Sequence, residues 1–240
     1  MHVEIRQETI EKLKDIAVST LTTCLFRRGF RNRVIHGVSQ VHPGARTMVG
    51  RAYTLRFIPA REDIDTMDAY QRDDHLHRRA VEECPAGYVL VIDAGGDTTA
   101  ASGGDIMLAR LMTRGAAGVV TDGGFRDSRD IRQLDFPAFH RAPAPTSSPA
   151  GLHPVELDGP VGCGGVAIYP GDVLVGDADG VIVIPAELAE AVANEAADMT
   201  AYEAFAASEV LKGRSIFGLY PPTPLSRAEF EAAQANKTRP

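Results

Sequence analysis

The stretch from Ser102 to Asp130 constrains the fold more than any other part of the chain. It reads SGGDIMLARLMTRGAAGVVTDGGFRDSRD. Apolar residues recur at helical spacing over 106–114, Gly115 is a helix stop, and 117–121 is a short β-like run. A continuous apolar run bounded by glycine, YVLVI at 88–92, comes before it and predicts a buried strand. Strand, helix and strand in this order predict a βαβ unit with parallel strands and a right-handed connection.

Polar residues stand in the loops that follow the two strands of this unit. Asp105 follows two glycines at the start of the helix, where it can cap, and the first backbone N–H groups there favour anions. Arg126-Asp127 follows the second strand, where parallel sheets place ligand sites. The unit can therefore bring an anion cradle, a cation and a carboxylate together. From residue types alone a second interpretation stays open, in which Asp105 is only a cap and Arg126-Asp127 only a solvated turn pair.

The remaining chain alternates between helical and strand patterns without internal repeats. Periodicity and turn residues predict helices over 7–28, 61–84, 128–134, 186–212 and 225–234. They predict strands over 50–58, 137–140, 166–169, 172–176 and 181–184, and a loop over 141–160. At 240 residues the chain can bury a sizeable core.

Two pairs of residues in these elements invite a metal-site interpretation. His75 and His77 are two apart, so they do not share a helix face, and a solvated helix is the favoured interpretation of 61–84. Asp177 and Asp179 lack the rest of a calcium loop, and an Asp-Gly turn between two strands explains them better.

Charge and composition exclude several classes of function. The formal net charge is −7 and no long basic stretch occurs, which argues against a nucleic-acid partner. No apolar run approaches eighteen residues, and the charged N-terminus has no signal core, so we expect a cytoplasmic protein without a membrane partner. Cys24, Cys84 and Cys163 are far apart and predict reduced, buried thiols.

Three motifs resemble one enzyme family. Asp105, twenty intervening residues and Arg126-Asp127 form a D-x20-R-D pattern within RGAAGVVTDGGFRD. PAGYVLVIDAGGD at 85–97 and YPGDVLVGDADGVIVIP at 169–185 are similar to flanking family segments. Over about 15–222 the chain resembles the metal-dependent 4-hydroxy-4-methyl-2-oxoglutarate / 4-carboxy-4-hydroxy-2-oxoadipate aldolases, which share their fold with the regulator of ribonuclease activity A.

The resemblance implies an α/β fold. We expect a single β/β/α-type domain with a central mixed sheet flanked by helices, plus an N-terminal helix and a C-terminal helical extension. The RraA-like aldolase domain would span 1–222, and 223–240 would form a tail that packs on a neighbouring subunit. Sites shared between subunits imply self-association as a homotrimer or a dimer of trimers.

The resemblance also implies roles for individual residues. Asp127 would bind Mg²⁺ or Mn²⁺, Arg126 would stabilise developing negative charge, and Asp105 would orient a metal-bound water. Gly104, Ile106 and Met107 would hold the carboxylate of a 2-oxo acid substrate, together with Asp105 and Arg126. A neighbour's glutamate would complete the site, and Glu203 and Glu209 are both candidates.

Three functions remain open at this point. A metal-dependent lyase would cleave a 4-hydroxy-2-oxo acid to pyruvate, with oxaloacetate decarboxylation as a side activity. The lysines, at 12, 14, 212 and 237, lie outside the central stretch, which disfavours a Schiff-base route. A dehydratase of a 2-oxo-3-deoxy sugar acid would use the same scaffold. A non-catalytic regulator is the third alternative, disfavoured because Asp127 is present.

Overall fold

The computed structural model describes the backbone of residues 4–237 and the side chains of residues 4–235. The outermost ends of the predicted domain and tail, 1–3 and 238–240, lie outside the described residues. The helices are α1 Gln7–Leu13, α2 Val18–Arg27, α3 Met67–Gln71, α4 Leu76–Glu83, α5 Asp105–Thr113, α6 Ser128–Ile131, α7 Ala189–Leu211 and α8 Pro224–Lys237. The strands are β1 Ser39–Gln40, β2 Met48–Pro59, β3 Tyr88–Asp93, β4 Gly118–Thr121, β5 Gly124–Phe125, β6 Ala138–His140, β7 Ala142–Pro143, β8 Leu152–Leu157, β9 Val173–Asp177 and β10 Gly180–Ile184.

A mixed sheet forms the centre of the molecule, as the sequence predicted. Its order is β1-β6-β4-β3-β2-β9-β10, in which β2, β3, β4 and β6 pair in parallel and β9 and β10 antiparallel. The long strand β2 pairs with β9 over its first half and with β8 over its second. Val34 bridges to β10, and Ser39–Gln40 pairs with β6. The segment 33–40 therefore connects the two edges of the sheet, which is nearly closed.

The predicted βαβ unit is confirmed as β3–α5–β4. Leu108 and Leu111 of α5 are 1% exposed and belong to the same buried cluster as Leu90 and Val119 of the two strands. Gly115 ends the helix with a φ of 82°, where Gly115 N–H bonds Met112 O and the next N–H bonds Leu111 O. These are the two hydrogen bonds of a Schellman end, which needs a left-handed residue at this position.

The prediction of one helix over 7–28 is wrong at its centre. The chain forms two helices, α1 and α2, because Ala17 is extended with a ψ of 143°. Val18 N–H at the start of α2 donates to Asp177 Oδ2 at 2.9 Å. Asp177 lies at the end of β9, so the break depends on a tertiary contact. The turn interpretation of Asp177 and Asp179 agrees with this arrangement.

Three further predictions need correction. The polar segment 61–84 is two short helices, α3 and α4, because Arg72 between them is extended. The predicted loop over 141–160 contains β8, whose Pro154 stands at a register shift opposite β2, where a missing N–H is tolerated. The predicted strand over 166–169 is reduced to one bridge between Ile168 and Val161, because a 3₁₀ turn, Cys163–Gly165, separates the two residues.

The C-terminal helix packs on its own chain. Tyr202 Oη of α7 lies 2.7 Å from Ser226 Oγ of α8, and its ring contacts Phe230 edge-on at 5.5 Å between centroids. Contact of this tail with a neighbouring subunit stays a prediction. The three cysteines are free and buried, as predicted. None of the helices within 4–237 combines the length and hydropathy that a membrane span requires.

Candidate active site

Two loops meet at the carboxyl ends of β3 and β4. Ser102, fully buried, links them: its backbone N–H donates to Gly124 O at 2.8 Å, and its Oγ lies 2.9 Å from Thr121 Oγ1. Arg126 N–H donates to Gly103 O at 3.0 Å. These bonds bring the start of α5 beside Arg126-Asp127. As a result, residues about twenty positions apart in the sequence lie in contact.

The buried carboxylate of Asp122 also connects these loops. Asp122, 4% exposed, accepts from Ala94 N–H at 2.8 Å and from Gly164 N–H at 3.1 Å. Burial of a charged group is costly unless hydrogen bonds satisfy it, and here two backbone donors do so. Asp122 is not among the residues that the sequence motifs single out. Its role is to hold three loops together.

The N-terminus of α5 differs from its prediction in one respect. Gly104 is the N-cap, and Asp105 is the first helical residue, so the expectation that Asp105 caps the helix is wrong. The first helical hydrogen bond runs from Leu108 N–H to Gly104 O, and no described acceptor takes the N–H groups of residues 105–107. Three donors and the positive end of the helix dipole are therefore available to an anion.

Gly104 also permits a close approach by the second loop. A Cβ atom at this position would lie 2.7 Å from Asp127 Oδ2 and 3.0 Å from Arg126 Cγ. Any larger residue would displace the Arg126-Asp127 pair. The glycine is therefore required by space, since its own backbone is ordinary extended chain with ψ of 179°.

Arg126 and Asp127 point into the same region. Arg126 Nε lies 3.0 Å from Asp127 Oδ2, and Arg126 Nη1 reaches Ser147 Oγ at 3.4 Å. Asp127 adopts a left-handed φ of 58° at the start of α6. Left-handed backbone is unusual for a non-glycine residue, although Asp and Asn tolerate it best. The conformation turns the chain at the point where the two charged side chains must face the α5 N-terminus.

A cavity of about 330 Å³ lies over these groups. It is lined by Met67, Tyr70, His77, Ala101, Gly103, Gly104, Asp105, Ile106, Met107, Arg126, Asp127, Ser147, Ser148 and Pro149. All the site residues expected from the central stretch, Gly104–Met107 and Arg126-Asp127, are on this surface. Glu203 and Glu209, the candidates for a neighbour's contribution, lie elsewhere on α7. The volume is that of a small-molecule site.

The donor set fits a hard divalent cation better than a zinc-type centre. Within the described residues no three His, Cys, Asp or Glu side chains come close enough to enclose an ion. Asp127 offers one partly exposed carboxylate at the cavity, with 32% of its side chain accessible. Mg²⁺ binds through one or two carboxylates and fills its other positions with water and substrate oxygens. Asp127 would hold such an ion here.

Several lining residues were not predicted individually. His77, Met67 and Tyr70 come from 61–84, and residues 147–149 come from the predicted loop. The solvated-helix interpretation is wrong for His77, which is 1% exposed. A signal was available, because His77, Ala80, Val81 and Cys84 follow the i, i+3, i+4, i+7 spacing of one buried helix face.

His77 joins the cavity to the α5 loop. Its Nε2 lies 3.0 Å from Ser102 O, and its Nδ1 lies 3.4 Å from Ser148 Oγ. A carbonyl can only accept, so Nε2 carries the proton and Nδ1 accepts from the serine. Burial lowers the pKa of His77 to about 4, although the bond to Ser102 acts in the opposite direction. The ring is therefore neutral at physiological pH.

This burial predicts acid destabilisation that depends on His77. Its pKa is about 4 when folded and ordinarily 6.5, so the unfolded chain binds more protons between these values. The stabilisation should be complete above pH 6.5 and fall by about 3 kcal/mol as pH falls to 4. Urea unfolding at several pH values should give a flatter profile for His77→Asn than for the native chain.

Two comparisons help to interpret the urea unfolding of the His77→Asn variant. His42 is exposed, so a His42→Asn variant should show the same dependence of the unfolding free energy on pH as the native chain. The profile of His77→Asn should not become flat, because burial also lowers the pKa of His140 to about 4. Parallel native and His77→Asn profiles would show that the ring does not carry the effect.

Known proteins are similar to this chain in sequence and in fold. The family model described as "RraA-like: Aldolase/RraA" matches residues 13–183. A 4-hydroxy-4-methyl-2-oxoglutarate aldolase of Thermus thermophilus is 35% identical over 144 residues, which cover 59% of this chain and 78% of that protein. A Halalkalibacterium halodurans protein, provisionally named for the same activity, is 44% identical over 128 residues, 53% of this chain. The match spans only 58% of that relative's length.

A solved structure supports the same relationship. The chain superposes on Streptomyces coelicolor RraAS2, described as an unusual member of the RNase ES inhibitor RraA protein family, with a TM-score of 0.75. Identity is 30%, and the match covers 85% of this chain and 97% of that one. The fold, the extent of the family match and the identity to the Thermus protein agree, and the chain belongs to the RraA-like (Aldolase/RraA) family.

Proposed function

We propose that the protein is a divalent-metal-dependent carbon–carbon lyase that cleaves a 4-hydroxy-2-oxo acid to pyruvate and a carbonyl compound. The observation that carries this proposal is one cavity in which Asp105, Arg126 and Asp127 meet three unpaired helix N–H groups. Relatives named as aldolases of such an acid support it. No lysine is among the described residues that line the cavity, so a Schiff base has no candidate in this part of the chain.

The substrate's 2-oxo acid end would bind first. The N–H groups of residues 105–107 would donate to its carboxylate, which the positive end of the α5 dipole also favours. The guanidinium of Arg126 would face the keto oxygen, where negative charge develops as the bond breaks. Asp127 would hold Mg²⁺ or Mn²⁺, and such an ion supplies a Lewis acid for the keto and carboxylate oxygens.

Bond cleavage then needs one proton transfer in each direction. Removal of the C4 hydroxyl proton allows the C3–C4 electron pair to move to C3, which leaves a carbonyl compound and the enolate of pyruvate. Return of a proton to C3 gives pyruvate. The carboxylate of Asp105 has no hydrogen-bond partner among the described residues, and we assign it to this proton transfer. The same enolate would form on decarboxylation of oxaloacetate, which accounts for the proposed side activity.

A substrate screen tests the proposal directly. The protein should release pyruvate from 4-hydroxy-2-oxo acids in the presence of Mg²⁺ or Mn²⁺, with lactate dehydrogenase and NADH reporting the product. Oxaloacetate should be decarboxylated more slowly at the same site. Absence of pyruvate from every 4-hydroxy-2-oxo acid, together with stable oxaloacetate, would contradict the proposal.

We also propose that the protein self-associates as a trimer or dimer of trimers and that Glu203 completes a neighbour's site. Glu209 pairs within its own chain, with Lys212 Nζ at 2.7 Å and Arg214 at 3.8 Å. Glu203 accepts one hydrogen bond, from Thr20 Oγ1 at 3.1 Å, and lines a second cavity of about 300 Å³. Leu211 and Phe217 lie nearby in the chain and are 88% and 89% exposed. Exposed apolar side chains of this size favour a surface that another subunit covers.

The two glutamates should therefore differ. We expect Glu203→Gln to lose most turnover and Glu209→Gln to keep it, since six helical positions place the two roughly 120° apart. Mixed oligomers of Glu203→Gln and Asp127→Asn subunits should regain part of the activity, because some sites then pair two intact residues. A fully active monomer, or reassembled mixtures without recovery, would exclude a shared site.

A further inference from the structure

His77 is a buried polar residue that the proposed mechanism does not use. It lies on the buried face of α4, is 1% exposed and still lines the cavity. Its ring packs edge-on against Phe57, with 5.1 Å between centroids, and against Tyr70 at 6.0 Å. An apolar side chain would suffice for packing among such groups, and burial of polar atoms is costly unless they are hydrogen-bonded. The two ring nitrogens therefore need an explanation of their own.

Both nitrogens of His77 bind loops of the candidate site. Nε2 donates to Ser102 O at 3.0 Å, and no other donor among the described residues reaches this carbonyl. Nδ1 lies 3.4 Å from Ser148 Oγ. Ser102 is fully buried and Ser148 is 8% exposed, so an apolar residue at position 77 would leave both groups unsatisfied. With both nitrogens paired, His77 is suited to hold the loops rather than to exchange a proton with a ligand.

The contacts of His77 complete a hydrogen-bonded cycle beside the cavity. Its members are His77, Ser102, Gly103, Arg126, Ser147 and Ser148. Gly103 O accepts from Arg126 N–H at 3.0 Å, and Arg126 Nη1 reaches Ser147 Oγ at 3.4 Å. Two peptide bonds, one before Gly103 and one after Ser147, connect these contacts to the two that His77 makes. All of them lie within one chain, so they do not depend on what a neighbouring subunit adds to the site.

The two sides of this cycle carry groups with separate tasks in the proposed mechanism. Ser102 leads to Gly104 and the first N–H groups of α5, which would hold the substrate carboxylate. Ser148 follows the serine that contacts the guanidinium of Arg126, which would face the developing oxyanion. The carboxylate is present in substrate and transition state alike, whereas the oxyanion charge develops only in the transition state. Displacement of α5 should therefore raise KM, and displacement of the guanidinium should lower kcat.

We propose that His77 is a positioning residue that sets the start of α5 against the guanidinium of Arg126. Its Nε2 fixes the loop that precedes α5, through Ser102 O. Its Nδ1 fixes the loop that contacts Arg126 Nη1, through Ser148 Oγ. The inference rests on the proposed function for its effects on kcat and KM, and ligand binding tests it separately.

Two substitutions of His77 separate its two hydrogen bonds. An amide supplies both a donor and an acceptor, and the amide of asparagine reaches the position of Nδ1, whereas that of glutamine reaches the position of Nε2. We expect His77→Asn to raise KM for the cleaved 4-hydroxy-2-oxo acid roughly tenfold, with a smaller change in kcat. His77→Gln and Ser148→Ala should lower kcat by a similar factor and leave KM nearly unchanged. Steady-state kinetics of pyruvate release give both constants.

A matched control and a double variant show whether the effect passes through the hydrogen bonds. Cys84 is fully buried at the end of the same helix face and does not line the cavity, so Cys84→Ala should keep both constants. His77→Gln and Ser148→Ala remove the same bond, so the double variant should be no slower than the slower single variant. Native kinetics in His77→Asn, or the same losses in Cys84→Ala, would overturn the inference. Ser148→Ala keeps the test decisive if the His77 variants fold poorly, because a native kcat in that variant would also overturn it.

Binding of pyruvate separates this inference from the proposed lyase function, because pyruvate itself is not cleaved. Calorimetry with Mg²⁺ should show that His77→Asn binds pyruvate roughly tenfold more weakly than the native chain, and that Cys84→Ala does not. If this result holds while no 4-hydroxy-2-oxo acid is cleaved, the lyase function fails and the positioning role stands. If the native chain cleaves such an acid and His77→Asn keeps its KM and pyruvate affinity, the positioning role fails and the lyase function stands. A native chain that does not bind pyruvate would also overturn the inference, because the start of α5 would then hold no 2-oxo acid.

Discussion

Arg126→Ala and Asp127→Asn should each lower kcat/KM on the order of 10²–10³-fold, the loss typical of a removed charge-stabilising group. Both residues line the cavity. In the proposed mechanism Arg126 would face the developing oxyanion and Asp127 would hold the cation. Both side chains are partly exposed, with 47% and 32% accessible, so their removal leaves no core cavity. Steady-state kinetics with the pyruvate assay provide the measurement.

Asparagine is the informative change at position 127. Asp127 has a left-handed φ of 58°, which Asn tolerates and Ala does not, so Asp127→Asn removes charge without adding backbone strain. The matched control is Asp130→Asn, an exposed carboxylate in the first turn of the same helix. It should leave kcat/KM unchanged, and thermal unfolding should be similar for all three variants. Near-normal turnover in Arg126→Ala or Asp127→Asn would show that the pair has only a structural role.

Removal of divalent cations should abolish activity, and Mg²⁺ or Mn²⁺ should restore it. The described residues that line the cavity include two carboxylates, Asp105 and Asp127, and no lysine, so the proposed enolate would need an added cation rather than an imine. Exhaustive EDTA treatment followed by the pyruvate assay measures the loss. Calorimetry provides a second readout, in which Asp127→Asn should bind Mn²⁺ more weakly than the native chain and Asp130→Asn should not.

Two outcomes would contradict metal dependence. Full activity after EDTA treatment would remove the need for a cation. Trapping of a substrate adduct by borohydride would indicate a Schiff base and therefore a lysine from outside the cavity described. Neither outcome would affect the assignment of the fold.

Local patterns predicted the helices and strands whose positions are determined by apolar periodicity and stop residues within the segment itself. β3, α5 and β4 form where apolar periodicity and the Gly115 stop placed them, and α7 closely matches 186–212. Predictions failed where a distant contact decides the backbone. The break between α1 and α2 depends on Asp177, and β8 forms because β2 is long enough to pair with a second strand beyond β9.

The candidate site likewise contains residues that the sequence indicated and residues that only the structure places there. The resemblance to the D-x20-R-D pattern singled out Asp105, Arg126 and Asp127. These residues come together because the loops that follow two parallel strands lie at one edge of the sheet. Residues of 61–84 and of the predicted loop over 141–160 also line the cavity. The sequence did not indicate which residues of these segments reach it, since neither segment has a motif. The spacing of His77 from His75 favours a solvated helix, whereas the spacing of His77, Ala80, Val81 and Cys84 indicates a buried helix face.

The sequence by itself determined the parallel βαβ centre, which follows from short-range spacing, and the family, which follows from the resemblance of its motifs. It also placed charged residues in the loops after the two strands. Only the tertiary structure decided what surrounds them. The buried bonds of Ser102 and Asp122 join loops that are far apart in sequence, and the packing of α3 and α4 against α5 brings Met67, Tyr70 and His77 to the cavity. Such contacts depend on the position of whole elements, because side chains on separate elements meet only after the sheet has ordered the chain.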